Sequence, residues 1–139
     1  MKNNLTEHFT LDELIKSDSH PEINNTPTDK VRANLTTLCK TILEPTRQMM
    51  DESIIITSGY RCPKLNKAVG GVENSYHLTG QAADLHIKSE SYAKRILDIL
   101  ALNRHVDLAL YEHGKHGSRW IHVQTNSQPR HMVIRDYKA

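Results

Sequence analysis

Two short stretches, Gln81 to Ile87 and Trp120 to Thr125, alternate apolar and polar residues with a period of two. That period belongs to a β-strand, whose successive side chains leave opposite faces. In the first stretch Ala83, Leu85 and Ile87 share one face, while Asp84 and His86 point the other way. In the second, Ile121 and Val123 share a face and His122 points opposite. Each strand therefore has one face for a core and a second face bearing a metal-capable side chain.

The rest of the chain divides into helical and strand signals. Thr10-Leu11-Asp12-Glu13 is a capping box, in which the hydroxyl and the Glu satisfy opposite ends of a first turn; it predicts a short helix over about 10–16. Ser17 to Pro27 collects Ser, Asp, Asn, Pro and His and predicts a loop. Thr28 then caps a longer helix, with Val31, Leu35, Leu38 and Ile42 on one apolar face. Pro45 would cost that helix a hydrogen bond, so a kink or break is expected near Glu44. Ser53 to Ser58 is a strand leading into the turn Ser58 to Pro63, and Gly70-Gly71 punctuates the next loop. Ser89 to Leu100 is a helix burying Tyr92, Ile96, Leu97 and Leu100. Residues 106–112 and 119–125 form two strands joined by the loop His113 to Ser118, and the basic tail from Ser127 carries no clear signal. This order predicts an α+β domain with a mostly antiparallel sheet and flanking helices. At 139 residues the chain is one domain, with a helical part over 1–50, the chemistry within 53–125 and a tail over 127–139.

Charge excludes some functions. Eighteen basic against 16 acidic side chains leave a formal charge of +2, with no strong field to select nucleic acid or a membrane surface. The run Ile54-Ile55-Ile56 is far short of a bilayer span, so no integral membrane contact is expected. Met1 to Thr10 is polar and lacks the apolar core of a secretory signal, so the chain is expected in the cytoplasm at synthesis. Cys39 and Cys62 cannot form a disulfide framework and are most simply free thiols. Nine histidines remain, several of them between 77 and 122.

His77 lies seven residues before Asp84, across the Thr79-Gly80 turn, within reach of the strand face that carries Asp84. Two imidazoles and a carboxylate make a zinc set whose fourth tetrahedral position is open to water. Such a site polarises a carbonyl and lowers the pKa of a bound water toward ~7. Ala82 and Ala83 leave room, and Ser75 and Gln81 supply uncharged hydrogen bonds. Spacing alone also suits a strand histidine that is merely exposed or hydrogen-bonded. His86, two residues beyond Asp84 and so about 6–7 Å away, is expected to support the site or face solvent.

Several ordered motifs sharpen this. Thr57-Ser58-Gly59-Tyr60-Arg61, Leu65-Asn66, Gly70-Gly71, Ser75-x-His77-x-x-Gly80-Gln81-Ala82-Ala83-Asp84 and Trp120-Ile121-His122-Val123 resemble the zinc peptidases of the D-Ala-D-Ala carboxypeptidase type. That group includes cell-wall carboxypeptidases, dipeptidases and phage endolysins, on a fold shared with the hedgehog signalling domain. The resemblance implies that His77, Asp84 and His122 hold one zinc ion. It also implies that Arg61 contacts a substrate carbonyl or carboxylate, a role suited to a permanent cation with a fixed donor fork. Ser75 would bond the substrate backbone or a zinc ligand, and Gln81 would touch substrate or brace its loop.

The general base is less direct. Many relatives place an acid three positions before the last zinc histidine, where this chain has Arg119. The closest subgroup resembles Asp107-x-x-x-x-Glu112, which makes Glu112 the candidate, with His113 and His116 as alternatives. Strict alternation puts Glu112 with Leu108 and Leu110, so reaching His122 calls for a strand end or bulge. The implied activity is hydrolysis of peptide bonds in peptidoglycan stem peptides by a monomeric carboxypeptidase or endopeptidase, as in a phage or prophage lysis protein. A zinc-stabilised wall-binding or structural module without turnover is the alternative.

Overall fold

The computed structural model describes residues 3–138; Met1, Lys2 and Ala139, the outer ends of the expected N-terminal part and tail, lie outside the described residues. Helix α1 (Leu11–Ile15) begins at Thr10, whose hydroxyl accepts from the Glu13 N–H while the Glu13 carboxylate accepts from the Thr10 N–H, the predicted capping box. Helix α2 (Asp29–Leu38) starts at its Thr28 cap and buries Val31, Leu35 and Leu38.

The irregularity expected near Glu44 takes the form of a π-helical segment just before it rather than a break in the chain's helical path. A π-helical turn over Cys39–Leu43 carries α2 directly into α3 (Glu44–Met50), with Pro45 in its first turn. Pro45 has no N–H to give the carbonyl four residues earlier, that of Thr41. Asn103 Nδ2 donates to that carbonyl at 2.8 Å instead, so a residue far along the chain satisfies the acceptor that the proline leaves open.

After α3, strand β1 (Ile56–Ser58) is shorter than the expected 53–58. Then come α4 (Pro63–Ala68), capped by Cys62, and a single 3₁₀ turn over Tyr76–Thr79, neither foreseen. Strand β2 (Ala82–His86) leads to α5 (Glu90–Ala101), which is capped by Ser89 and buries Tyr92, Ala93, Ile96, Leu97 and Leu100. Each large apolar side chain buried this way stabilises the fold by roughly 1.5–3 kcal/mol. Strands β3 (Val106–His113) and β4 (Arg119–Thr125) form the predicted hairpin.

The unassigned tail is a strand, β5 (Met132–Lys138). It pairs parallel with β3, so the sheet order is β1-β2-β4-β3-β5, antiparallel except at that last edge. One face of the sheet, carrying Ala83, Leu85, Ala109, Tyr111, Ile121 and Val123, packs with α2, the π turn and α5 in one continuous core. The architecture is the expected α+β fold with a mostly antiparallel sheet and flanking helices. No helix among the described residues is long and apolar enough to cross a membrane. Cys39 and Cys62 are both free thiols; burial pushes the Cys39 thiol up to about 12.

Candidate metal centre

The sheet face opposite the helices carries the chemistry. In the β2–β4 ladder Asp84 lies directly across from His122, which brings their side chains together without any long loop. His77 rides on the 3₁₀ turn, where Ser75 Oγ accepts from its backbone N–H at 3.1 Å. The His77 ring Nδ1 lies 2.7 Å from the Gly59 carbonyl. A carbonyl only accepts, so Nδ1 carries a proton and Nε2 is the nitrogen turned toward the metal position. That Nε2 lies 3.3 Å from Asp84 Oδ1, and His122 Nδ1 lies 3.1 Å from the same oxygen. The three ligating atoms all fall within 4.8 Å of one another, and all three residues are buried.

Two imidazoles and one carboxylate converging at that distance fit a divalent cation with nitrogen and oxygen preference, zinc foremost. Burial by itself would raise the Asp84 carboxyl, but the facing His77 and His122 hold it well below the usual carboxylate range. It is therefore ready as an anionic ligand.

Arg61 borders the same site. Its Nε donates to Ser58 Oγ at 3.0 Å and its Nη1 to Asn66 Oδ1 at 3.1 Å, while Nη2 reaches Asp84 Oδ2 at 3.4 Å. Asn66 is buried and donates in turn to the Val72 carbonyl at 2.9 Å. Gly71 is needed here for close approach: a Cβ would sit 2.1 Å from Asn66 Oδ1 and 2.7 Å from Arg61 Nη1. Arg61 is thus a fixed, half-buried cation rather than a loose surface charge, and Asn66 is the bracing residue that spacing did not single out.

His77, Asp84, His122, Arg61 and Ser75 line one cavity of about 680 Å³, and Glu112 lines it too. The expectation that alternation would turn Glu112 away assumed that Leu108 and Leu110 belong to the core. They do not. A register shift between Val106 and Leu108 rephases β3, so Ala109 and Tyr111 enter the core while Leu108, Leu110 and Glu112 line the cavity. Leu110 pairs with His122 and Glu112 with Trp120. Trp120 Nε1 donates to Glu112 Oε2 at 2.9 Å, which places Trp120 in the cavity wall. Burial raises the Glu112 carboxyl above its ordinary value, against the pull of His122.

The remaining candidates lie elsewhere. His113 Nε2 meets Asp136 at 2.9 Å, and His116 is exposed at the tip of the β3–β4 loop. His86 is exposed. Gln81 braces its turn, its Oε1 accepting from Thr79 Oγ1 at 2.6 Å, and stands outside the cavity lining. Arg119 points away from the metal residues to Glu90 at 2.7 Å. Gln124 was not foreseen: its Oε1 lies 2.7 Å from His122 Nε2. Its position two residues beyond His122, on the same strand face, was the available signal.

No curated protein matches the chain. The Peptidase M15 family model matches residues 7–124, a span that takes in every residue of the cavity named above. With most of its length covered by that match, and with His77, Asp84 and His122 convergent within it, the chain belongs to the M15 peptidases, the zinc D-Ala-D-Ala carboxypeptidase family.

Proposed function

We propose that this chain is a zinc-dependent peptidase acting on peptidoglycan stem peptides, as carboxypeptidase or endopeptidase. The observation that carries the reading is the His77–Asp84–His122 cluster on the wall of a cavity shared with Arg61 and Glu112. His77 Nε2, an Asp84 oxygen and His122 Nδ1 would hold one ion. When bound, zinc supplies Lewis acidity, polarising the scissile carbonyl and acidifying water.

The chain's own residues supply the rest. Trp120 occupies Glu112 Oε2, so Oε1 is the oxygen left to take a proton from the attacking water and return it to the leaving amine. A carboxyl whose pKa is raised by burial suits that double role. Arg61, already oriented by Ser58 and Asn66, holds the developing negative charge or a terminal carboxylate. Ser75 keeps the His77 turn in place at the cavity edge, and Gln81 braces the chain behind it. Leu108, Leu110 and Trp120 give the cavity an apolar wall that would exclude water around a bound peptide.

The second reading, a zinc-holding wall module without turnover, draws on Arg119, which stands where many relatives carry an acid. Incubating the purified chain with cell-wall peptides, with and without a chelator, separates the two. Metal-dependent release of D-Ala or of cut stems supports the peptidase, and the product identifies the bond. Intact peptides in the presence of stoichiometric zinc would favour the module.

A further inference from the structure

Behind His122 runs a line of polar groups with only one consistent direction. Asp107, at the start of β3, is fully buried. Arg130, in the segment between β4 and β5, donates to it through its backbone N–H at 2.9 Å, its Nε at 3.0 Å and its Nη2 at 2.9 Å. A carboxylate held this way can only accept. The fourth partner of Asp107, Gln124 at 2.8 Å, must therefore turn its NH₂ toward Asp107 and its Oε1 toward His122. Facing a carbonyl oxygen at 2.7 Å, His122 Nε2 must carry the ring proton. That makes Nδ1 the nitrogen turned toward Asp84 and the metal position, free to ligate when the ring is neutral.

From this line of bonds we infer that Asp107, Gln124 and Arg130 are positioning residues that set the tautomer and ring orientation of His122 for metal binding. The inference rests on the zinc reading of the site. It also gives work to the chain beyond the family match, since Arg130 follows the matched span 7–124. Asp107→Asn should do the most specific damage. An Asn at 107 can donate as well as accept, so the Gln124 amide is free to flip and present its NH₂ to His122. The ring proton would then move to Nδ1, the nitrogen needed for the metal.

The test uses the full chain with Asp107→Asn, with Gln124→Met, which leaves the Asp107–Arg130 contact in place, and with Arg130→Lys as the conservative exchange. Zinc affinity is read by chelator competition, and the His122 tautomer by ring ¹⁵N shifts of the metal-free protein at pH 9. Loss of an outer partner of a metal-bound histidine typically weakens affinity 10–100-fold. Asp107→Asn and Gln124→Met should fall in that range, with Arg130→Lys between them and the unaltered chain. In the metal-free protein Asp107→Asn should move His122 toward the Nδ1–H form. Unaltered zinc affinity together with an unaltered tautomer in Asp107→Asn and Gln124→Met would overturn the inference. If the unaltered chain binds no zinc, the zinc reading fails, and the tautomer shift alone then decides whether the line of bonds orients His122.

Discussion

Replacing Glu112 by Gln removes a proton carrier while leaving almost everything else in place. The amide has the size of the carboxyl, and its oxygen can still accept from Trp120 Nε1, so the 2.9 Å contact survives. The side chain is half-buried and is not among the three metal residues, so neither the fold nor the zinc content should change much. An amide cannot accept the proton of an attacking water. Losing a positioned acid–base group costs on the order of 10²–10⁴ in rate, or about 3–5.5 kcal/mol of barrier. The assay is kcat/KM on a stem peptide, with bound zinc and the melting temperature measured on the same preparation. Glu112→Gln should lose at least a hundredfold at unchanged zinc, whereas His113→Ala and His116→Ala should lose little. A Glu112→Gln variant with full turnover, beside a crippled His113→Ala or His116→Ala, would refute the reasoning and move the base into the β3–β4 loop.

Three further outcomes follow from contacts elsewhere. Gly59→Ala would drive a Cβ to 2.3 Å from the Leu14 carbonyl oxygen, which is backbone and cannot swing aside; a loss of about 2–3 kcal/mol is expected in denaturant titrations. The same change should weaken zinc binding, because the Gly59 carbonyl orients His77. Asn103→Ala should cost about 1–3 kcal/mol by stranding the Thr41 carbonyl. The cost should shrink in a Pro45→Ala background, where a restored N–H can serve that oxygen, and a double-mutant cycle measures the difference. Asp107 is held at about 2 against its ordinary value of 3.8, chiefly by hydrogen bonds from Arg130. A carboxyl lowered on folding contributes stability that is complete above pH ~4 and lost as pH falls toward 2. With its guanidinium partner half in solvent, about 1–2 kcal/mol should disappear over that window, and Asp107→Asn should flatten that part of the acid-unfolding curve.

Much of this site was legible because period-two alternation is a short-range signal. Asp84 and His122 could be put on the open face of their strands from neighbouring residues alone, and the β2–β4 register then aligned them. His77 was within reach of that face by its spacing, though nothing in that spacing shows that Gly59 turns its ring. Glu112 was harder for a physical reason. One extra residue at the start of β3 exchanges the two faces of everything after it, and no local pattern reveals the shift. Pro45 announced an irregularity near Glu44 but not how the helix continues past it, because the missing bond is replaced by Asn103, 58 positions past the proline. Strand β5 escaped because its partner, β3, is parallel and nonadjacent in sequence order, so no tight turn announces it. Gln124 and Asp107 show the limit most clearly: their roles depend on which atoms face each other, not on residue type.

The central claim is that His77, Asp84 and His122 hold one zinc ion, His122 through Nδ1. Anomalous diffraction at the zinc edge from crystals of the zinc-loaded chain tests it directly. The expected result is a single strong peak about 2.0–2.2 Å from His77 Nε2, an Asp84 carboxylate oxygen and His122 Nδ1. A peak ligated by other residues, or zinc-loaded crystals with no density among these three atoms, would contradict it.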